Sequence, residues 1–194
     1  MNNTAHVFGC INNTIKVAAG HLVDLVNPDP ETIDIQSIAA ALSKICRFGG
    51  HCPRFYSVAE HCIHATTMAI SDGFVGEAIV AVFLHDAAEA YVGDMVKPLK
   101  VTMPQYWEAE LRIDRAIESK FSIEFKKFED TIKRYDRIML KAEKASMWPR
   151  CSDEWFGFSE IENRKIDFGF WDPSYAEMQF LAMARTLQLM ELPR

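Results

Sequence analysis

The chain has 194 residues, 49% of them hydrophobic and 25% charged, and a formal net charge of −6. That size and apolar content suit one domain with a sizeable core. The acidic balance argues against a protein whose main work is gripping a nucleic-acid polymer, which takes concentrated Lys and Arg, and five cysteines without CxxC spacing argue against a disulfide framework or a zinc knuckle.

The first residues, Met1-Asn2-Asn3-Thr4-Ala5-His6, lack the basic start and apolar run of a signal peptide, and no stretch approaches a membrane span. The expectation is a cytoplasmic protein with no membrane partner. From Ile15 to Leu25, alternating apolar and polar residues around Gly20 predict a small hairpin. Ile35, Ile38, Ala39, Leu42 and Ile45 recur at helical spacing and predict a first helix that stops at Gly49-Gly50.

Ser57-Val58-Ala59-Glu60 reads as a capping box opening a second helix, with Val58, His61, Cys62, Ala65 and Ala69 on its buried face. A third helix from about Gly76 is apolar all round, as expected at the centre of a bundle, and runs straight into His85. Pro104 opens a fourth through Trp107, Leu111 and Ile117. A fifth, from about Lys127 to Met147, places Ile132, Tyr135, Asp136, Met139, Ala142 and Glu143 along one side. The prediction is an all-α bundle with a small N-terminal hairpin: one domain over 1–194, its core at about 24–147, an aromatic loop at 148–173 and a last helix at 174–191.

The segment Leu84-His85-Asp86-Ala87-Ala88-Glu89-Ala90-Tyr91-Val92-Gly93-Asp94 sets an imidazole and three acids into an otherwise apolar run. Burying ionisable groups costs several kcal/mol each unless they are paired or bind a metal. His85 and Glu89 stand at i and i+4, with Asp86 three before Glu89, so all three address one region; His61 enters from the preceding helix and Asp136 from the fifth. Two imidazoles and two carboxylates suit one divalent transition ion such as Zn, Mn or Co and leave positions open for water. Such an ion lowers the pKa of water from about 15.7 towards roughly 7, which points to hydrolysis. Glu89, off the metal, is placed to orient or deprotonate that water, and Asp94 to protonate a leaving oxygen or hold a sugar hydroxyl. Taken singly, His61 is an ordinary core histidine and Asp136 half of a salt bridge with Arg47 or Arg137. Together, four separately compensated polar groups in apolar seams are far less probable than one site.

The order His61, His85-Asp86, Asp136 resembles that of the HD-domain metal-dependent phosphohydrolases. More narrowly, Tyr56-Ser57-Val58-Ala59-Glu60-His61, Leu84-His85-Asp86-Ala87-Ala88-Glu89, Gly93-Asp94-Met95-Val96-Lys97-Pro98-Leu99-Lys100 and Tyr135-Asp136 are similar to the compact branch holding bacterial 5′-deoxynucleotidases and phage dATP triphosphohydrolases of the DatZ type. The resemblance spans about Asp24 to Lys144. It implies His61, His85, Asp86 and Asp136 as metal ligands and Glu89 and Asp94 as catalytic residues. It further implies Arg47 and Phe48 as nucleotide-binding residues, with phenylalanine where the family has tryptophan, and Lys100 as the lysine that meets the phosphates. Lys97 adds a second cation one turn earlier. Guanosine tetraphosphate hydrolases of this fold carry HDxxED, whereas here Ala90 follows Glu89.

The activity so implied is hydrolysis of the 5′ phosphoester of a deoxynucleotide. Lys97 beside Lys100 favours dATP, yielding deoxyadenosine and triphosphate, over the alternative of a 5′-deoxynucleotidase acting on monophosphates. A non-catalytic nucleotide-binding protein is the remaining alternative, and it predicts loss of at least one of His61, His85, Asp86, Glu89 or Asp136, all of which are present. Apolar helices on a short chain also suggest a homo-oligomer.

Overall fold

A computed structural model describes residues 13–150 and 160–190. The chain is mostly helical, with a two-stranded antiparallel hairpin at its start. Strands β1 (Thr14–Lys16) and β2 (Leu22–Asp24) pair Ile15 with Val23, and the turn between them runs through Gly20 at φ +92°. Val23 is fully buried, and Ala19 N–H donates to Ser37 Oγ at 3.1 Å, so the hairpin is pinned to the first helix.

That helix, α1 (Ile35–Leu42), begins where Asp34 accepts from Ser37 N–H at 2.6 Å. It ends at Leu42, short of the expected Gly49-Gly50; Arg47–Gly50 forms a separate 3₁₀ turn in which Phe48 and Gly49 take left-handed φ of +58° and +59°. Helix α2 (Val58–Ser71) opens on Ser57, whose Oγ accepts from Glu60 N–H at 3.1 Å. Val58, Ala59, Glu60, His61, Cys62 and Ile63 are buried in succession, so α2 enters the interior from its first turn.

Helix α3 (Glu77–Leu84) stops immediately before His85. Residues 85–88 form tight turns, with Ala87 N–H donating to Leu84 O and Glu89 N–H to Asp86 O, before the short α4 (Glu89–Val92). The continuous helix expected through His85 and Glu89 is therefore corrected to a helix, a break and a single turn. Three-residue rather than four-residue hydrogen-bond spacing tightens the chain there. After α5 (Lys97–Lys100) come α6 (Pro104–Phe121), α7 (Glu129–Met147) and α8 (Pro173–Thr186), the last capped by Asp172, which accepts from Ser174 and Tyr175 N–H. Helix α8 starts one residue before the expected bound and ends at Thr186; the middle of the aromatic loop, 151–159, lies outside the described residues.

Two apolar clusters fill the interior. One gathers Val23, Ile38, Leu42, Phe83, Leu84, Ile113, Ile117 and Phe180; the other gathers Tyr56, Val82, Tyr135, Ile138, Met139 and Phe168. Helix α2 contributes to both, through Val58, Ala59 and Cys62 on one side and Ala65, Met68 and Ala69 on the other. No helix among the described residues is long and apolar enough to cross a membrane.

Candidate metal centre

Three elements deliver side chains to one point at the seam between the clusters. His61 comes from the first turn of α2, His85 and Asp86 from the break after α3, and Asp136 from α7. His61, His85 and Asp86 each put a ligand atom within 4.8 Å of the others. The two Nε2 atoms face each other at 3.3 Å; Asp86 Oδ2 lies 3.3 Å from His85 Nε2 and 3.6 Å from His61 Nε2. Asp136 stands at the edge of this trio, its Oδ1 3.6 Å from His61 Nε2, with a side chain 45% exposed where His61 is wholly buried.

The far side of each ring is committed. His61 Nδ1 stands 2.7 Å from Glu143 Oε1, and His85 Nδ1 stands 2.7 Å from Val82 O. A carbonyl and an ionised carboxylate only accept, so both Nδ1 atoms donate and both Nε2 lone pairs are left facing the common point. Two lone pairs at 3.3 Å repel unless a proton or a metal ion lies between them. Histidines oriented this way by an outer carboxylate and a backbone carbonyl, with carboxylates converging on the same point, fit a divalent transition ion.

The electrostatics favour a cation as well. Burial works against a charged His85, but Asp86 and Asp136 outweigh it and push its pKa up to about 9. Burial likewise opposes ionised Asp86, yet His85, His61 and Arg47 hold its carboxyl well below the usual range. Glu143 behaves similarly: against full burial, Arg47 and His61 pull its pKa down to about 2. Arg47 sits among these acids, with its side chain 3.3 Å from Asp86 Oδ2 and 3.3 Å from Glu143 Oε1. The salt bridge weighed between Arg47 and Asp136 is thus replaced by pairs with Asp86 and Glu143.

Glu89 is 8% exposed, and its Oε2 has no hydrogen-bond partner among the described residues. Burial raises its affinity for protons well above the ordinary, and the charges of Asp86 and Asp94 add to that. Asp94 is raised too, chiefly by burial. Lys100 is half-buried and donates to Glu110 Oε1 at 2.5 Å, whereas Lys97 is exposed. Phe48 packs edge-on against Trp148 with ring centroids 4.9 Å apart. Arg54 lies over the Phe170 ring at 4.4 Å.

No family model matches the chain. Among curated proteins, "Uncharacterized protein YfdR" of Escherichia coli (strain K12) is 38% identical over 133 residues, which span 65% of this chain and 70% of its own length. "Uncharacterized protein RCAP_rcc00048" of Rhodobacter capsulatus is 31% identical over 166 residues, spanning 81% of this chain and 80% of its own. The chain belongs to the family of these two proteins. Membership carries no activity with it, so the chemistry of this family member rests on its side chains.

Two buried glutamates escaped the sequence reading of roles. Glu143 carried a signal, being a carboxylate two turns after Asp136 on the same apolar face. Glu60 was masked by its capping-box pattern: its backbone N–H does bind Ser57, but its carboxylate accepts from Phe170 N–H at 2.9 Å and Trp171 N–H at 2.8 Å. His64 stands beside it, 3.5 Å from Glu60 Oε1, between the Phe168 and Trp171 rings and apart from the metal group.

Proposed function

We propose that the chain is a metal-dependent phosphohydrolase of the HD-domain type that cleaves the 5′ phosphoester of a deoxynucleotide, with dATP, giving deoxyadenosine and triphosphate, as its foremost substrate. The observation that carries this reading is the meeting of two Nε2 atoms with Asp86, and with Asp136 at the edge, while Glu143 and Val82 occupy the opposite ring nitrogens. His61, His85, Asp86 and Asp136 would hold a Zn, Mn or Co ion, which supplies a water of lowered pKa and polarises a phosphoryl oxygen.

The surrounding residues divide the remaining work. Glu89, whose buried carboxyl holds protons more tightly than usual, stands beside Asp86 where it would take a proton from the attacking water. Asp94, shifted in the same direction, hands a proton to the departing 5′ oxygen. Arg47 and Phe48 help bind the nucleotide, Lys100 meets phosphate oxygens, and the half-exposed Asp136 marks the side from which a nucleotide enters.

One observation favours the monophosphate reading as a second choice. Lys100 is already paired with Glu110 and Lys97 points into solvent, which leaves less uncompensated positive charge than a triphosphate calls for. The test is to incubate the chain with Mn, Co or Zn and each deoxynucleotide and to separate the products. Inorganic triphosphate from dATP supports the first reading, and cleavage of monophosphates alone supports the second. Bound nucleotide without turnover under any metal, with Glu89→Gln indistinguishable from the parent, leaves a non-catalytic binding protein. Asp136→Ala is expected to lose metal and activity together; stoichiometric metal retained in that variant would remove Asp136 from the ligand set.

A further inference from the structure

The turn that carries Arg47 and Phe48 also brings two cysteines together. Cys46 pairs with Ser57 in an antiparallel bridge, flanked by Arg47 N–H donating to Tyr56 O at 2.9 Å and Val58 N–H to Ile45 O at 3.1 Å, so the base of the loop is a fixed stem. Phe48, Gly49 and Gly50 then take φ of +58°, +59° and +79°, and His51 N–H closes back on Phe48 O. That reversal returns Cys52 to Cys46 with the Sγ atoms 3.4 Å apart. The Cys52 thiol also approaches Arg47 O at 3.8 Å.

These thiols differ from Cys62, which is fully buried in the first cluster and serves as a small apolar side chain. Cys46 and Cys52 are each half-buried, within reach of a small reagent, and in contact with each other. A disulfide needs about 2.05 Å between sulfurs. A closing movement of roughly 1.4 Å joins them, within what side-chain rotation in a loop supplies.

We propose that Cys46 and Cys52 form a reversible disulfide that locks the 47–51 turn and with it the position of Arg47. The oxidant is a low-molecular-weight disulfide such as oxidised glutathione. The Cys46 thiolate attacks one of its sulfurs, forming a mixed disulfide and expelling one glutathione thiolate. Cys52, having lost its proton, attacks the Cys46 sulfur, forms the intramolecular bond and expels the second glutathione thiolate. The protein dithiol gives up two electrons and two protons, and the small disulfide takes both up as two thiols. Burial lifts the Cys52 thiol to about 11, and the contact between the sulfurs makes the second step intramolecular.

The linkage stands on loop geometry and does not depend on the phosphohydrolase reading. Its consequence reaches the metal centre through Arg47, which follows Cys46 directly and pairs with Asp86 and Glu143.

Trypsin provides the test, because it cuts after Lys44, Arg47 and Arg54 and so separates the two cysteines. The whole protein is equilibrated with glutathione couples of increasing oxidised fraction, its free thiols are blocked, and it is digested. The expected product is Ile45–Arg47 joined to Phe48–Arg54, rising through a single two-electron transition and disappearing on reduction. Separate glutathione adducts on Cys46 and Cys52, or links to Cys10, Cys62, Cys151 or a second copy in its place, overturn the proposal. Hydrogen exchange adds a second reading: amides of 47–52 exchange several-fold more slowly in the oxidised protein, and equal rates overturn the locking of the turn.

Discussion

His61 offers a bare Nε2 because Glu143 occupies its other nitrogen, and Glu143 stays ionised while fully buried because Arg47 lies against it. The three form a chain of dependence in which the outermost pair sets the tautomer of the innermost ring. Glu143→Gln keeps the size and one acceptor but removes the charge that favours the Nδ1–H tautomer and pairs with Arg47. Loss of such an outer partner typically weakens metal binding ten- to a hundred-fold. Competition with a chromophoric chelator is expected to read a loss in that range for Glu143→Gln, and unchanged affinity would reduce Glu143 to a packing role. His85 and Asp86 were legible because they interrupt an apolar run, His61 and Asp136 because each lies on the inward side of a predicted helix. Glu143 had the same signature, but its role emerges only when α7 lies against α2, and no local spacing encodes that.

At the scale of elements, the break between α3 and α4 departs most from expectation. The apolar run through Leu84 and the i, i+4 spacing of His85 and Glu89 describe a helix equally well, so nothing in the pattern marks where it ends. Helices α2, α6 and α7 were readable because Ser57 and Pro104 mark starts or a long polar face sets the period. The attachment of the aromatic segment was hidden for a different reason: Glu60 meets Phe170 and Trp171 across more than a hundred residues. That segment is tightly built, since a Cβ at Gly169 would collide with the Trp171 indole and Phe170 takes φ +48°. Glu60→Ala strips two part-buried amides of their acceptor and leaves a gap where a buried carboxylate stood, and is expected to destabilise the fold by roughly 1–3 kcal/mol in urea unfolding. Trp171 fluorescence in the native state should shift to longer wavelength as the segment loosens; an unshifted spectrum with full stability would mean that the amides find other partners.

The whole molecule is two apolar clusters joined through α2, and its stability is shared between them. Phe83 and Phe180 stack with ring centroids 4.3 Å apart, joining α3 to α8. Phe180→Ala is expected to cost about 3–5 kcal/mol, visible as a large drop in Tm. Asp114 on α6 makes stability depend on pH. Burial first, then Glu110 and Glu118, lift its pKa from 3.8 to about 7, and its Oδ1 is buried without a hydrogen-bond partner among the described residues. A carboxyl raised on folding weighs nothing against the fold below about pH 4 and progressively more as pH climbs through 7. At about 1.4 kcal/mol for each interval of one pH, the burden reaches at most about 4 kcal/mol. Asp114→Asn should therefore match the parent in Tm at pH 4 and exceed it by several degrees at pH 8. A constant difference across that range would show that Asp114 is ionised throughout.

Asp136 and Glu143 ride on the same helix, seven residues apart, about 10.5 Å along its axis. One faces the metal group directly and the other steadies His61 from behind. A slide or roll of α7 would therefore displace both side chains together. If the proposed centre holds an ion, its capture and the seating of α7 would be linked, because both side chains stand on that one helix.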